Sequence, residues 1–315
     1  MRETRGAPPK LDAATDSAAG SPAADGGERA KRRAEVPSRL LTKLTWPDVR
    51  DALQRGSGIV LPVGSTEQHG YHLPLSTDTL VATDLAVTIA ERLDYLVAPP
   101  VNYGYRSRPL SGGGPGFPGT ISLSANALVL VVTDILSELI RHGFKRLVVL
   151  SMHLENQNML YESACLAFRG HEDADVRIMV VEQPFASLSQ SVTDTLFPDG
   201  FPGWEVEHAA VLETSLMLSL HPELVWMDGA VDDRAKRRAN YEMLPVPDDL
   251  ITASGTLWKA TQGTAAKGRA AWEEMLVYLE DAIRLEMGCP LPAVKVLTGS
   301  AIEASIEPSA SHHCL

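Results

Sequence analysis

The stretch "GIVLPVGSTEQHGYHLPLSTDT", residues 58–79, joins an apolar run to a group of titratable side chains. The run "IVLPV" is apolar throughout, which is typical of a strand buried on both faces of a parallel sheet. It breaks at Gly64, and two histidines and two carboxylates follow within fifteen residues: Glu67, His69, His72 and Asp78. Side chains crowded behind a buried strand either cap and solvate a loop or hold a charged ligand. The stretch therefore predicts a buried strand that ends at a polar loop or at a binding site.

Three more apolar runs predict buried strands: "YLVAPPV" (95–101), "RLVVLSM" (146–152) and "VRIMVVEQ" (176–183). Helical patterns lie between and after them, near residues 78–93, 124–143, 156–169, 205–220 and 264–287. Ser124 is a candidate N-cap of the second helix, and Gly143 is its candidate stop. Strands that alternate with helices predict an α/β fold with a mostly parallel sheet covered on both faces.

The two ends of the chain differ in composition from its middle. Residues 1–36 are rich in Ala, Gly, Pro, Ser and charge and offer few large apolar side chains, which predicts a disordered tail. The basic end of this tail, "ERAKRRAE", is most simply a stretch of solvated charge. We expect one globular domain at residues 37–290 and a C-terminal extension at 291–315.

Composition excludes some classes of function. The 315 residues carry a formal net charge of −12, which argues against nucleic-acid binding because a phosphate backbone favours a basic surface. No apolar run reaches the ~18 residues of a membrane span, and the N-terminus lacks the apolar segment of a secretory signal. Three cysteines without metal or redox spacing indicate reduced thiols, so we expect a cytoplasmic protein without a membrane partner.

The glycine-rich stretch "SGGGPGFPGT", residues 111–120, could be read as a phosphate-binding loop. It lacks the Lys-Ser/Thr ending of a P-loop and the spacing of a dinucleotide-binding motif. We expect instead a flexible or tightly turned loop over a site.

Two carboxylate–imidazole pairs follow two of the predicted strands. Glu67 and His69 come after the first, and His153 and Glu155 come directly after "RLVVLSM". In an extended chain the i, i+2 spacing puts both side chains of a pair on one side, and the carboxyl ends of parallel strands are where open α/β sheets bind ligands. Asp78 begins the next helix and can point to the same edge.

If these side chains converge, they need a counter-charge, because clustered carboxylates repel one another and raise their own pKa values. Two neutral imidazoles and three carboxylates would be balanced by two divalent ions and one bridging hydroxide. Nitrogen and oxygen ligands without thiolate suit Zn or Mn better than Ca or Mg. Any one of these residues alone is more often a polar loop group, but the repeated pair favours a metal site.

A later stretch, "GFPGWEVEHAAVLETSLML" (200–218), follows a Gly-Pro turn with a helical pattern. In a helix Trp204 and His208 are i, i+4 and share one face. They form either a substrate wall beside a proton carrier, or a Trp that packs on a helix end with a His bonded to backbone. The spacing alone does not separate these interpretations.

Together, "PVGSTEQHGYHLPLSTDT", "SGGGPGFPGTISL", "HLEN" and "GWEVEHAAVLETSLML" resemble the creatininase (creatinine amidohydrolase) family, over about residues 38–287. The resemblance implies a three-layer α/β/α fold and a binuclear metal site. Glu67 and His153 would bind one divalent ion, His69 and Glu155 the other, and Asp78 would bridge them. "HLEN" keeps the glutamate of creatininase proper, whereas the formamide hydrolases and peptidases of the family usually read H-G-G-N.

The resemblance also implies a reaction. A metal-bridging hydroxide would attack a cyclic amide carbonyl, creatinine giving creatine, with His208 as proton shuttle and His208 and Glu155 as the catalytic residues. The substrate contacts would be Ser111, the backbone at Leu154, Trp204, Glu205 and His208. The substrate would be a small molecule, and the assembly a homo-oligomer, a hexamer by the family.

Some positions depart from creatininase proper. It has tyrosine where Leu154 stands, aspartate where Glu205 stands, and a second tryptophan where this chain reads Glu182-Gln183-Pro184-Phe185. These changes leave the metal chemistry intact and the substrate open. The alternatives are a family hydrolase for a formamide, a related cyclic guanidine or a peptide terminus, and a non-enzymatic ligand-binding protein.

Overall fold

The computed structural model describes residues 38–172 and 175–288. The predicted tail at 1–36 and the predicted extension at 291–315 lie outside the described residues, so the domain limits stay predictions. Within the described ranges, no helix combines the length and the apolar character that a membrane crossing requires.

Four parallel strands form the central sheet, in the order β2-β1-β3-β4. Their bounds are β1 Ile59–Val63, β2 Leu96–Val97, β3 Arg146–Ser151 and β4 Arg177–Val181. All four predicted strands are therefore present, although only two residues of "YLVAPPV" pair as a strand. The chain adds β2 on one side of β1 and then β3 on the other. The order of strands thus reverses between β1 and β3, which is where ligands bind in such sheets.

The α-helices are α1 Trp46–Gln54, α2 Thr77–Leu93, α3 Pro109–Gly112, α4 Ala125–Arg141, α5 Gln157–Phe168, α6 Gln190–Leu196, α7 Val211–Leu220 and α8 Ala265–Met287. Short 3₁₀ helices lie at Leu41–Lys43, Leu154–Asn156, Pro184–Ser187, Trp204–Val206, Pro222–Leu224, Met227–Gly229 and Ala260–Gln262. The Ser124 side chain caps α4 by accepting from the Ala127 N–H, and Gly143 has a φ of 106°, as a helix stop requires.

The core has two halves, one on each face of the sheet. Along β1 the side chains alternate, so that Val60 packs on one face while Ile59 and Leu61 pack on the other. Helices α2, α7 and α8 cover the first face, and α1, α4 and α5 cover the second. This arrangement confirms the predicted three-layer α/β/α fold.

A close backbone contact fixes the edge at which the predicted site residues lie. Gly64 follows β1 directly, and a Cβ at this position would lie 2.5 Å from the backbone N and Cα of Thr79 in α2. Only glycine lets the strand end and the helix start approach so closely. Asp78, in the first turn of α2, is thereby held beside the loop that carries Glu67 and His69.

The predicted helix at 205–220 is wrong at its start. Trp204–Val206 is a 3₁₀ turn, and the α-helix begins only at Val211. Between them Ala209 has a φ of 50°, a left-handed conformation that costs a residue with a Cβ roughly 1–2 kcal/mol and interrupts any helix. Trp204 and His208 therefore do not share a helix face. Their relative positions are set by tertiary contacts instead.

Candidate metal centre and active site

Glu67, Asp78 and His153 meet at the carboxyl edge of the sheet, between the ends of β1 and β3. Nδ1 of His153 lies 2.9 Å from Oε2 of Glu67 and 3.2 Å from Oδ2 of Asp78. All three side chains are buried. Nε2 of His153 donates to the backbone oxygen of Tyr105 at 3.0 Å, which turns Nδ1 toward the two acids. The structure thus brings together two strand-end residues and one helix-start residue that the sequence predicted.

Three of the four carboxylate oxygens of this group lack a hydrogen bond in the part of the chain that the structure describes. Both oxygens of Glu67 and Oδ2 of Asp78 are buried and accept none from any residue in the described ranges, although His153 lies near them. A buried carboxylate without compensation is costly. One ligand atom from each of the three residues lies within 4.8 Å of the others. This oxygen and nitrogen donor set fits a divalent cation such as Zn or Mn.

A second group of possible ligands consists of His69, His208 and Glu213, again with one ligand atom each within 4.8 Å. Nδ1 of His69 donates to the backbone oxygen of Glu67 at 3.1 Å. Its Nε2 lies 3.1 Å from Oδ1 of Asp78 and 3.6 Å from Oε2 of Glu213. Asp78 therefore contacts an imidazole of each group through a different oxygen, which is the arrangement that a bridging ligand requires.

Glu155 is not a member of either group of ligand atoms in the described residues. Its Oε1 accepts from the Ser111 hydroxyl at 2.5 Å and from the Arg108 N–H at 3.3 Å, and its Oε2 lies 3.6 Å from Nε2 of His153. The 3₁₀ helix Leu154–Asn156 ends the extended chain at His153, so the i, i+2 argument does not hold for this pair. The structure places Glu155 beside Ser111 rather than beside His69.

The charges of the two groups shift their pKa values strongly. Burial lowers the pKa of His69, but Asp78 and Glu213 outweigh burial and raise it to about 10. Burial likewise opposes protonation of His153, but Glu67 and Glu155 hold its pKa well above the ordinary value. Against the effect of burial, His153 keeps the pKa of Glu67 below its usual range, and His69 and His153 do the same for the pKa of Asp78. These shifts favour the positively charged form of both imidazoles when no cation is bound.

Two further acids near the site, Glu207, which is buried, and Glu213, which is partly buried, were not singled out by the sequence analysis. Burial raises the pKa of Glu207 to about 7 and the pKa of Glu213 to about 8. Oε1 of Glu207 accepts from the Leu212 N–H at 2.6 Å, while its Oε2 has no hydrogen-bond partner among the described residues. In the sequence each acid resembles an ordinary polar residue near the start of a helix, so no sequence pattern indicates that it belongs to the site.

His208 is buried next to His69, with 4.4 Å between the ring centroids. Burial lowers the pKa of His208, although Glu67 opposes this effect. Nε2 of His208 lies 2.9 Å from the backbone oxygen of Gln68 and 2.9 Å from the Gln68 side-chain nitrogen. That amide already donates to the backbone oxygens of Gly112 and Gly255, so Nε2 of His208 donates to the Gln68 carbonyl. Gln68, inside the first motif, is therefore a further positioning residue.

A cavity opens over these residues. Ser111, Leu154, Trp204 and His208 line it, four of the five predicted substrate contacts. Glu205 is exposed and does not line the cavity, because the 3₁₀ turn points it outward. The fifth predicted contact is therefore not brought to the site.

The Trp204 wall belongs to an aromatic cluster. Its ring lies 5.0 Å from that of Phe185, 4.6 Å from that of Phe201 and 6.0 Å from that of Phe197. Phe185 also lines the cavity and is buried, in the 3₁₀ helix Pro184–Ser187. The segment that departs from creatininase proper thus supplies an aromatic wall through Phe185.

The glycine-rich loop turns tightly beside the first group, as the sequence analysis expected. Gly112 ends α3, and a Cβ there would lie 2.4 Å from Oε1 of Glu67. The absence of a side chain lets the backbone approach the carboxylate and places Ser111 at the cavity.

Comparison with known proteins identifies the family. The family described as creatininase, creatinine amidohydrolase, matches residues 42–283. The chain is 39% identical to the creatinine amidohydrolase of Pseudomonas putida over 253 residues, 79% of this chain and 97% of the relative. It is 33% identical to the mycofactocin precursor peptide peptidase of Mycolicibacterium smegmatis (strain ATCC 700084 / mc(2)155), over 72% of this chain and 84% of the relative.

Solved structures agree with the sequence comparison. Three of them superpose with a TM-score of 0.76 at 38% identity, over 99% of their own chains and 79–80% of this one. They are a mutant creatininase complexed with creatine, a mutant creatininase of Zn-Zn type and a creatininase named as the Mn form. The family match covers most of the chain, and the relatives align over most of their own length. This chain therefore belongs to the creatininase family of hydrolases.

Proposed function

We propose that this protein is a metal-dependent amidohydrolase that opens a small cyclic amide, with creatinine giving creatine as the first choice. The observation that carries the proposal is the buried carboxylate pair of Glu67 and Asp78 beside His153 and His69, next to a cavity with an aromatic wall. Three of the four carboxylate oxygens have no hydrogen bond among the described residues. The 39% identity to a creatinine amidohydrolase supports the choice of substrate.

Two divalent ions, Zn or Mn, are proposed as cofactors. Glu67 and His153 would hold one ion, His69 the other, and Asp78 both; Glu155 completes the second set in the family pattern. Ions held there supply Lewis-acid polarisation of a carbonyl and lower the pKa of a water. The Zn-Zn and Mn forms of similar proteins support this choice of metals.

The remaining side chains would bind and protonate the substrate. Trp204 and Phe185 offer flat apolar surfaces to a small ring, and the Ser111 hydroxyl is available to a polar substituent. His208 would take a proton from the attacking water and deliver it to the departing ring nitrogen, a proton-shuttle role suited to imidazole. Because Nε2 of His208 donates to the Gln68 carbonyl, Nδ1 is the nitrogen proposed for this transfer. The buried site keeps bulk water away from that step.

A peptide terminus is the second candidate substrate. Leu154 stands at the cavity where creatininase proper carries an aromatic ring, and the chain is 33% identical to a precursor peptide peptidase.

We further propose a cytoplasmic homo-oligomer, a hexamer by the family resemblance, that acts on a small molecule and binds neither nucleic acid nor membrane.

Turnover of creatinine by stripped and reloaded protein tests the proposal. Protein treated with a chelator should be inactive, and added Mn or Zn should restore creatine formation. A parallel panel of a formamide, a related cyclic guanidine and a short peptide separates the candidates. Activity that ignores the chelator would remove the metal-dependent mechanism, and turnover of the peptide alone would select the second candidate.

A variant at His208 tests the proton transfer. His208→Ala should lower kcat by about 10²–10⁴, the usual range for a lost general acid or base, and leave the number of bound ions at two. If the variant turns over like the parent, or loses an ion, the proton carrier is a different residue.

A further inference from the structure

Glu213, in the first turn of α7, contacts two different parts of the site through one carboxylate oxygen. Its Oε2 accepts from the Ala209 N–H at 2.6 Å. The same oxygen lies 3.6 Å from Nε2 of His69, and the side chain lines the cavity. Glu213 is not among the five predicted metal ligands, nor among the predicted substrate contacts. The proposed mechanism therefore leaves this partly buried acid without a role.

The first contact restrains a strained turn. Ala209 has a φ of 50°, which is unfavourable for a residue with a Cβ and persists only where the surroundings enforce it. Ala209 follows His208 directly, and the Leu257 N–H donates to the His208 backbone oxygen at 3.1 Å. The bonds from Glu213 and Leu257 thus hold the backbone of the proposed proton carrier from both sides.

The second contact concerns the proposed cation site. Nδ1 of His69 is engaged by the Glu67 carbonyl, so its Nε2 is the nitrogen that faces Asp78 and Glu213. The acid at Glu213 places a carboxyl oxygen 3.6 Å from the nitrogen that would bind an ion. Partners of this kind orient the ligand and strengthen the affinity of the metal.

We propose that Glu213 is a positioning residue that links the imidazole of His69, at the second cation site, to the turn that carries His208. The proposal rests on the proposed function. Oε2 of Glu213 contacts both the imidazole of His69 and the Ala209 N–H next to His208. It would thereby fix the distance between an ion at His69 and the proton carrier His208.

Two variants separate the two contacts. Glu213→Gln keeps a carbonyl oxygen that can accept from the Ala209 N–H and loses the charge, whereas Glu213→Ala loses both. Glu91→Ala, on the exposed side of α2, is the matched control for removal of a glutamate. Each protein is stripped, titrated calorimetrically with Mn²⁺, and then assayed on creatinine at saturating Mn²⁺.

Both Glu213 variants should bind one of the two ions about 10–100-fold more weakly, as expected for loss of a supporting acid. At saturating metal, Glu213→Ala should lose about 100-fold in kcat with a smaller change in KM, and Glu213→Gln should recover at least about tenfold of that loss. A role confined to general stability would lower the amount of folded protein and leave the KM, the metal affinity and the per-molecule kcat unchanged.

Parent-like metal affinity in both variants would overturn the link to His69, and equal kcat losses in both would overturn the link to Ala209. If Glu213→Ala does not fold, titration of Glu213→Gln with Mn²⁺ still tests the link to His69. A parent-like kcat together with a parent-like metal affinity in that variant would overturn the proposal. If the parent itself does not act on creatinine, the proposed substrate fails, while the titrations continue to test Glu213.

Discussion

Binding of Zn²⁺ or Mn²⁺ to the metal-free protein is expected to release protons, about one from each of two imidazoles. Burial opposes protonation of both imidazoles, but neighbouring acids raise the pKa of His69 to about 10 and the pKa of His153 well above the ordinary value. Both imidazoles should therefore be in the protonated, positively charged form at pH 7 when no ion is bound. A histidine must be neutral to bind a metal. Loading both proposed sites therefore displaces about two protons per chain.

The same argument sets the pH dependence of the affinity. While an imidazole is protonated in the free protein, each displaced proton makes the apparent affinity of its ion rise about tenfold per pH unit. Between pH 6.5 and pH 8 the ion at His69 should therefore bind roughly 30-fold more tightly, and the increase should end near the folded-state pKa of about 10.

The stability of the metal-free protein should change in the opposite direction. A group whose pKa is raised in the folded state contributes stability that is fully present below its unfolded value. For His69 that value is 6.5, and the contribution is lost as the pH rises to about 10. Thermal melts of stripped protein at pH 6.5 and pH 9 should therefore show a lower melting temperature at pH 9.

Calorimetric titration in two buffers of different ionisation enthalpy counts the protons directly. His69→Gln should lower the count by about one, and His142→Gln, at an exposed position after α4, should leave it unchanged. A binding heat that is independent of the buffer would show that the imidazoles are already neutral, and would refute this account of the charges in the site.

Three further predictions address the bridge, the wall and the core. Asp78→Ala should lose both ions in metal analysis of the purified protein, because its two oxygens face both imidazoles; retention of either ion would exclude the bridging assignment. Trp204→Ala should raise KM about tenfold, equivalent to about 1.4 kcal/mol of binding, with a smaller effect on kcat; a change confined to kcat would contradict a wall role. Leu136 is fully buried on α4, so Leu136→Ala should lower the free energy of unfolding in denaturant by about 2–5 kcal/mol. Leu130 is 63% exposed on the same helix, so Leu130→Ala should lower it by less than about 0.5 kcal/mol. Equal losses would contradict the packing described.

The sheet and most helices could be predicted because their signals are local. Apolar runs such as residues 59–63 are long enough to identify strands, and α2, α4, α5 and α8 lie within two residues of the predicted ranges. The convergence of Glu67, Asp78 and His153 was predictable for a related reason. Glu67 and His153 follow strands directly, and parallel strands bring their carboxyl ends to one edge.

The remainder of the site depends on tertiary contacts that no spacing reveals. The positive φ of Ala209 delays α7 to Val211, and nothing in the sequence "EHAAV" indicates it. Glu213 reaches the site only because of that turn, and Glu155 turns to Ser111 because a 3₁₀ helix follows His153. Periodicity describes neighbours along one element, whereas these contacts join different elements.

The aromatic wall of the cavity and the cluster of Glu67, Asp78 and His153 at its floor are carried by different kinds of secondary structure. Glu67, Asp78 and His153 lie at strand ends and a helix start that a glycine contact holds together, whereas the aromatic wall comes from the 3₁₀ turns at Pro184–Ser187 and Trp204–Val206. Replacement of wall residues leaves the floor in place, so selection can act on the range of accepted molecules without disturbing the reactive centre. Evolution of a new specificity on this scaffold therefore does not require the chemistry to be rebuilt.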